Sequence, residues 1–247
     1  MPYATRLQPG CYYHIYNRGN NRENIFVENR NYPYFLSLYA KHVAPHVDTL
    51  AYCLLRNHFH LLIRVKDDAE QRPERFKRSG RSLDDLDATT RGFTSLFSAY
   101  AMAINKATRR RGKLFQEHFG RIQVTSDEYL TNLVFYIHFN PQKHGFVTDF
   151  RRWPWSSYRG LRSSAPTQLA REHVLAFFGG ADAMAKFHQG AVDERLIASM
   201  IGEVGLKSIK RPERSKRSGR FCSFKIPRTL GDADIGHWTI DSICGLS

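Results

Sequence analysis

Residues 49–65 read TLAYCLLRNHFHLLIRV. Two apolar, β-prone runs, Thr49–Leu55 and His58–Val65, are separated only by Arg56-Asn57, the length of a tight hairpin turn. Side chains alternate between the two faces of a strand. Phe59, Leu61, Ile63 and Val65 therefore share one face, which must be the core, while His58 and His60 share the other. Two imidazoles at i, i+2 on one sheet face can bind one metal ion. In a chain with 11 histidines the same spacing also describes two half-exposed rings with no ligand.

Working outward, Tyr12–Asn17 is β-prone and ends at Arg18-Gly19-Asn20, a turn signal. Asn31–Val43 carries Tyr34, Phe35, Leu38 and Tyr39 at helical spacing. Asp67–Arg81 is charged and poor in apolar residues, as in a mobile loop. A helix is expected from Thr94 to Arg109, with Leu96, Phe97, Tyr100, Ala101 and Ile104 as its buried stripe. Phe119–Thr125 reads as a short strand. Thr125-x-x-Glu128 then resembles a capping box that opens a helix. The order β-α-β-β-α-β-α follows. Its first six elements make a ferredoxin-like split βαβ arrangement, an α+β fold whose antiparallel sheet carries helices on one face.

The helix Asp127–Asn140 has Leu130, Leu133, Val134 and Ile137 on one face. At about 100° per residue, Tyr136 and Asn140 stack on one flank of that stripe. His138 points roughly 160° away from Tyr136 by the same arithmetic. Pro141 disfavours helical geometry at Asn140, so the helix is expected to end there. Tyr136 reads either as an anchor at the helix boundary or as a reactive phenol.

The chain has 247 residues and 37 Lys+Arg against 23 Asp+Glu, a net charge of +14. Such an excess favours a polyanionic partner, nucleic acid foremost. Arg18, Arg109, Arg110, Arg111 and Lys113 are the candidate DNA contacts, although Arg109 to Arg111 also suit a helix C-terminus. Trp153 and Trp155 either stack bases or pack over the core. The cysteines, Cys11, Cys53, Cys222 and Cys244, form no C-x-x-C pair, which excludes a zinc ribbon or redox motif and fits a reducing, cytoplasmic home. No apolar run marks a signal peptide or a membrane span. After Trp153-Pro154-Trp155 the character changes, so a first domain over 1–162 and a C-terminal extension over 163–247 are expected, with short helices at Thr167–Phe178 and Ala181–His188. Within the extension, Lys207–Arg220 is basic and of low complexity, as in a disordered segment.

Five stretches together resemble one family: Tyr13-His14-Ile15-Tyr16-Asn17-Arg18-Gly19; Asn57-His58-Phe59-His60-Leu61-Leu62; Gly112-Lys113-Leu114-Phe115-Gln116; Tyr136-Ile137-His138-Phe139-Asn140-Pro141; and Trp153-Pro154-Trp155-Ser156-Ser157-Tyr158. They resemble the REP-associated tyrosine transposases, a branch of the single-tyrosine HUH transposases, over about residues 1–160. The resemblance implies that His58, His60 and Asn140 are metal ligands for magnesium or manganese and that Tyr136 is the nucleophile. It implies a substrate of single-stranded or hairpin DNA, a 5′-phosphotyrosine intermediate, and action as a monomer or homodimer. The charged residues 67–87 are a longer insertion than the family pattern suggests, and the tail beyond about residue 163 has no counterpart in it. A non-catalytic nucleic-acid-binding protein on the same fold is the alternative; a relaxase or an unrelated metal hydrolase fits less well.

Overall fold

The computed structural model of the protein describes residues 6–67 and 87–190. Nearly all of the expected loop Asp67–Arg81 lies outside the described residues, as do Lys207–Arg220, Cys222 and Cys244.

The hairpin forms where the sequence puts it. β1 (Tyr12–Arg18), β2 (Val47–Leu55), β3 (His58–Val65) and β4 (Gly120–Val124) make one antiparallel sheet in the order β2-β3-β1-β4. Leu55 pairs with His58 across the turn, and Arg18 pairs with His58 on the other side of β3. The crossovers are α1 (Asn31–His42) and α2 (Ala88–Thr108). Both lie on the face that carries Phe59, whose ring stands 5.3 Å from Phe35 of α1 and 5.8 Å from Phe97 of α2. Burying each such ring stabilises the fold by roughly 2–3 kcal/mol. The two crossover helices thus share one face, as the split βαβ order requires.

The seventh element, α3 (Asp127–Lys143), covers the opposite face, where the Tyr136 ring meets His60. His58 and His60 are therefore enclosed between sheet and helix rather than open to solvent.

Of the boundaries that differ from expectation, three have a reason visible in local bonding. α2 begins at Ala88, not Thr94, because Asp87 caps it: its carboxylate accepts from Thr90 N at 2.6 Å and from Thr90 Oγ1 at 2.8 Å. The cap of α3 is Ser126, not Thr125; its Oγ accepts from Tyr129 N at 3.1 Å. α3 also runs through Pro141 to Lys143 instead of ending at Asn140. Proline removes only the bond to Ile137 O, and the Asn140 side chain adds a donor to the adjacent Tyr136 O at 2.8 Å.

The Trp-Pro-Trp segment packs on the protein itself. It lines the edge of β2, with Leu54 N donating to Trp155 O at 2.9 Å and Ser157 N to Tyr52 O at 3.0 Å. Trp153 Nε1 donates to Leu54 O at 2.9 Å, and Trp155 stacks on Tyr32 at 4.6 Å with planes 2° apart. Covering an edge removes its open row of backbone donors and acceptors. Beyond it, α4 (Tyr158–Arg162), α5 (Arg171–Phe178) and α6 (Ala181–Phe187) bury Leu161, Val174 and Met184 in the same core.

A chain of buried hydrogen bonds ties these parts together. His188 Nδ1 donates to Met184 O at 2.8 Å, so its Nε2 accepts from His138 Nδ1 at 2.9 Å. His138 Nε2 must then accept from Ser157 Oγ at 2.9 Å, and Ser157 Oγ accepts from Tyr52 N at 2.8 Å. His138 thereby serves the join of α3, α6 and β2, on the side turned away from Tyr136. Among the described residues, no helix is long and apolar enough to cross a membrane.

Candidate active site

β3 places His58 and His60 on the α3 face of the sheet, with rings 5.2 Å apart and nearly perpendicular. β1 adds His14 and Tyr16 to that face. The His14 ring stacks on His60 at 5.1 Å, and Tyr16 stands 6.1 Å from His60. Tyr16 is set by Gly120 of the neighbouring strand, where a Cβ would fall 2.1 Å from the Tyr16 ring. From above, α3 lowers Tyr136 onto the group. Its ring lies edge-on to His60 at 5.5 Å and to His14 at 6.4 Å, and only 6% of its surface is exposed. Lys143 Nζ stands 5.4 Å from the centre of the Tyr136 ring. His144, the residue after α3, brings its ring 5.1 Å from His58.

The sheet and helix therefore bring together His58, His60 and Tyr136. Asn140, one turn beyond Tyr136, is fully buried. Its Nδ2 is committed to Tyr136 O, while its Oδ1 is buried with no hydrogen-bond partner. His58 has the same asymmetry: Nδ1 bonds Asn57 Oδ1 at 2.7 Å, and Nε2 is buried with no partner. Native structures rarely leave such groups unmet unless a water, ion or substrate completes them.

Burial governs the protonation of the ring. It pushes His14 down to about 3, and with the nearby His144 and Arg18 it pushes His58 down to about 3 as well. His60 is held well below the ordinary range, first by burial and then by His14 and His58. All three imidazoles are neutral at pH 7, the form that donates a lone pair to a metal. Among the described residues, no group of three or more His, Cys, Asp or Glu side chains is arranged to hold a metal ion.

The candidate DNA contacts separate by geometry. Arg18 ends β1 opposite His58, beside the site. The loop that follows α2 is tied to the same end of the sheet, with Gln116 N donating to Arg18 O and Asn20 N to Leu114 O, each at 2.9 Å. Arg109 and Arg111 are exposed on that loop. Lys113 is exposed and pairs with Glu117 at 3.3 Å. Arg110 is committed to the protein: it bonds Glu23, Asn105 Oδ1 and the carbonyls of Gly112 and Lys113. Arg121 sits on the other face of the sheet, away from the phenol. It pairs with Ile15 in register, bonds Thr90 of α2 and lies over Phe119.

Sequence reasoning gave no role to His14 or His144. His144 was open to discovery, because Tyr136, Asn140 and His144 follow one another at four-residue intervals along α3 and its C-cap. His14 was open only to a reader who knew the register of β1 on β3.

No family model matches the chain. A curated protein of Haemophilus influenzae, named as a REP-associated tyrosine transposase, is 28% identical over 112 residues, 45% of this chain and 58% of that protein. The chain thus spans less than two thirds of the curated relative it matches. A solved structure of a REP-associated tyrosine transposase bound to a REP hairpin covers 65% of this chain and 84% of its own, at 15% identity and a TM-score of 0.47. The chain is similar to the REP-associated tyrosine transposases, as its motifs imply.

Proposed function

We propose that the chain is a DNA strand-transferase that cuts and rejoins single-stranded or hairpin DNA through Tyr136. The observation that carries this reading is the meeting of the Tyr136 ring with His60, 5.5 Å apart across the interface of α3 and the sheet. A phosphate lodged there would touch the phenol on one side and the imidazoles on the other.

The phenol loses its proton, and its oxygen forms a bond to phosphorus as the bond from phosphorus to the 3′ oxygen breaks. The departing oxygen takes up a proton, leaving a 3′-OH and a 5′-phosphotyrosine. Attack by a 3′-OH on that linkage reverses the step and rejoins a strand without an external energy source. A phenol, with a pKa near 10, leaves more readily than an alcohol, so the linkage stays reactive. Lys143 supplies positive charge beside the ring. Arg18 and the exposed cations at 109, 111 and 113 steer the DNA backbone toward the same end of the sheet.

His58, His60 and Asn140 suit a divalent cation, magnesium or manganese, because two of them carry buried nitrogen or oxygen atoms that lack any other partner. Such a cation would withdraw charge from the phosphate and fix its orientation.

Labelled single-stranded hairpin DNA incubated with the full chain and Mg²⁺ should give a covalent adduct on a denaturing gel. Tyr136→Phe should give none. Equal adduct from both proteins would refute the assignment; hairpin binding by both without cleavage by either would favour a purely DNA-binding role.

A further inference from the structure

This inference rests on the reading of His60 as a cation ligand and concerns what holds that ligand. His14 is fully buried in β1, and its Nε2 lies 2.9 Å from Nδ1 of His60. The rings are stacked, 5.1 Å apart with planes at 24°. The register of the strands produces the contact: His14 faces Leu62 and Tyr16 faces His60, which makes His14 the diagonal neighbour of His60 on the α3 face. Tyr16, 5.0 Å from His14, packs beside the pair.

Two nitrogens at hydrogen-bond distance share one proton. Each buried, neutral imidazole carries a single N–H, so only two arrangements exist. If His14 donates, the proton of His60 sits on Nε2 and that nitrogen has no lone pair to offer. If His60 donates, its Nε2 is bare and the proton of His14 sits on Nδ1. Only the second arrangement lets His60 reach a cation through Nε2.

We infer that His14 is a positioning residue: its Nε2 accepts the Nδ1–H of His60 and holds that imidazole in the tautomer and orientation in which Nε2 meets a divalent cation. The arrangement has a cost. His14 Nδ1 is buried and has no hydrogen-bond partner, so its N–H goes unmet when His60 is the donor. Cation binding offsets that cost, which couples the tautomer of the pair to occupancy of the site.

The test is Mn²⁺ binding to the full chain without DNA, followed by electron paramagnetic resonance, for wild type, His14→Phe, His14→Asn, His14→Gln and His60→Ala. Glutamine places an acceptor near the position of Nε2; asparagine reaches only as far as Nδ1; phenylalanine keeps the ring and loses the acceptor. His14→Phe and His14→Asn should bind about 10- to 100-fold more weakly. His14→Gln should stay within about threefold of wild type, a rescue that a purely structural role would not give. If His14→Phe does not fold, the comparison of glutamine with asparagine decides alone. The inference is overturned if His14→Phe binds as wild type does, or if the glutamine and asparagine variants bind alike. Undiminished binding by His60→Ala would instead refute the ligand reading beneath it.

Discussion

Asn140 uses the two ends of its amide for different purposes. Nδ2 donates to the Tyr136 carbonyl, and Oδ1 stays buried without a partner. An unmet buried acceptor costs about 1–3 kcal/mol, which a bound cation would recover. Binding at 100 times the dissociation constant stabilises a folded protein by about 2.7 kcal/mol. Wild type should therefore melt higher with saturating Mn²⁺ than without it. Asn140→Ala should lose most of that gain while its cation-free melting temperature changes little, and an undiminished gain would remove Asn140 from the site. Gly120 sets the other wall. Gly120→Ala puts a methyl group 2.1 Å from the Tyr16 ring, and the resulting overpacking should cost about 1–3 kcal/mol in urea unfolding. At this scale the sequence was legible wherever one element sufficed. Strand alternation paired His58 with His60, and helical spacing paired Tyr136 with Asn140. His14 was hidden because its role depends on which residue of β3 it meets, and a strand's own pattern does not specify its register.

α3 shows why elements were read more securely than their ends. Its apolar stripe announced a helix, but Pro141 pointed to a stop that does not occur. The penalty of one missing donor near a helix end is small beside the burial of Asn140 and Pro141. The start of α2 was masked for the opposite reason. Asp87 sits in a charged stretch with no apolar period, and its capping bonds become visible only in three dimensions. The join between α3, α6 and β2 was likewise illegible, because it runs through His138, His188 and Ser157, far apart in the chain. Ser157→Ala leaves Tyr52 N and His138 Nε2 each short of a partner. The substitution should lower unfolding stability by about 1–3 kcal/mol. It should leave Mn²⁺ affinity unchanged, since the join lies on the side of α3 turned away from Tyr136; a loss of affinity of tenfold or more would show that the join also holds the site.

Among the described residues, five buried histidines are held neutral. Burial holds His14 and His58 near 3 and His188 near 4, with His60 and His138 also well below their ordinary value. For a base depressed in the folded state, the stabilisation is whole above the unfolded pKa of about 6.5 and is lost as pH falls toward the folded value. His188 alone, dropping to about 4, accounts for on the order of 3 kcal/mol across that window. Urea unfolding without added metal should therefore show stability falling steeply from pH 6.5 to pH 4; a flat profile would mean that these rings are not neutral in the fold. The same enclosure gives the site its character: neutral nitrogen donors, a buried phenol and a cation-rich end of the sheet, in a chain of net charge +14 suited to a polyanion. The most direct test of the central claim is to let the full chain react with hairpin DNA and Mg²⁺, trim the product with nuclease and trypsin, and locate the retained nucleotide by mass spectrometry. A nucleotide phosphate on the oxygen of Tyr136 is the result expected; attachment to another residue, such as Tyr16 or Tyr129, would contradict it.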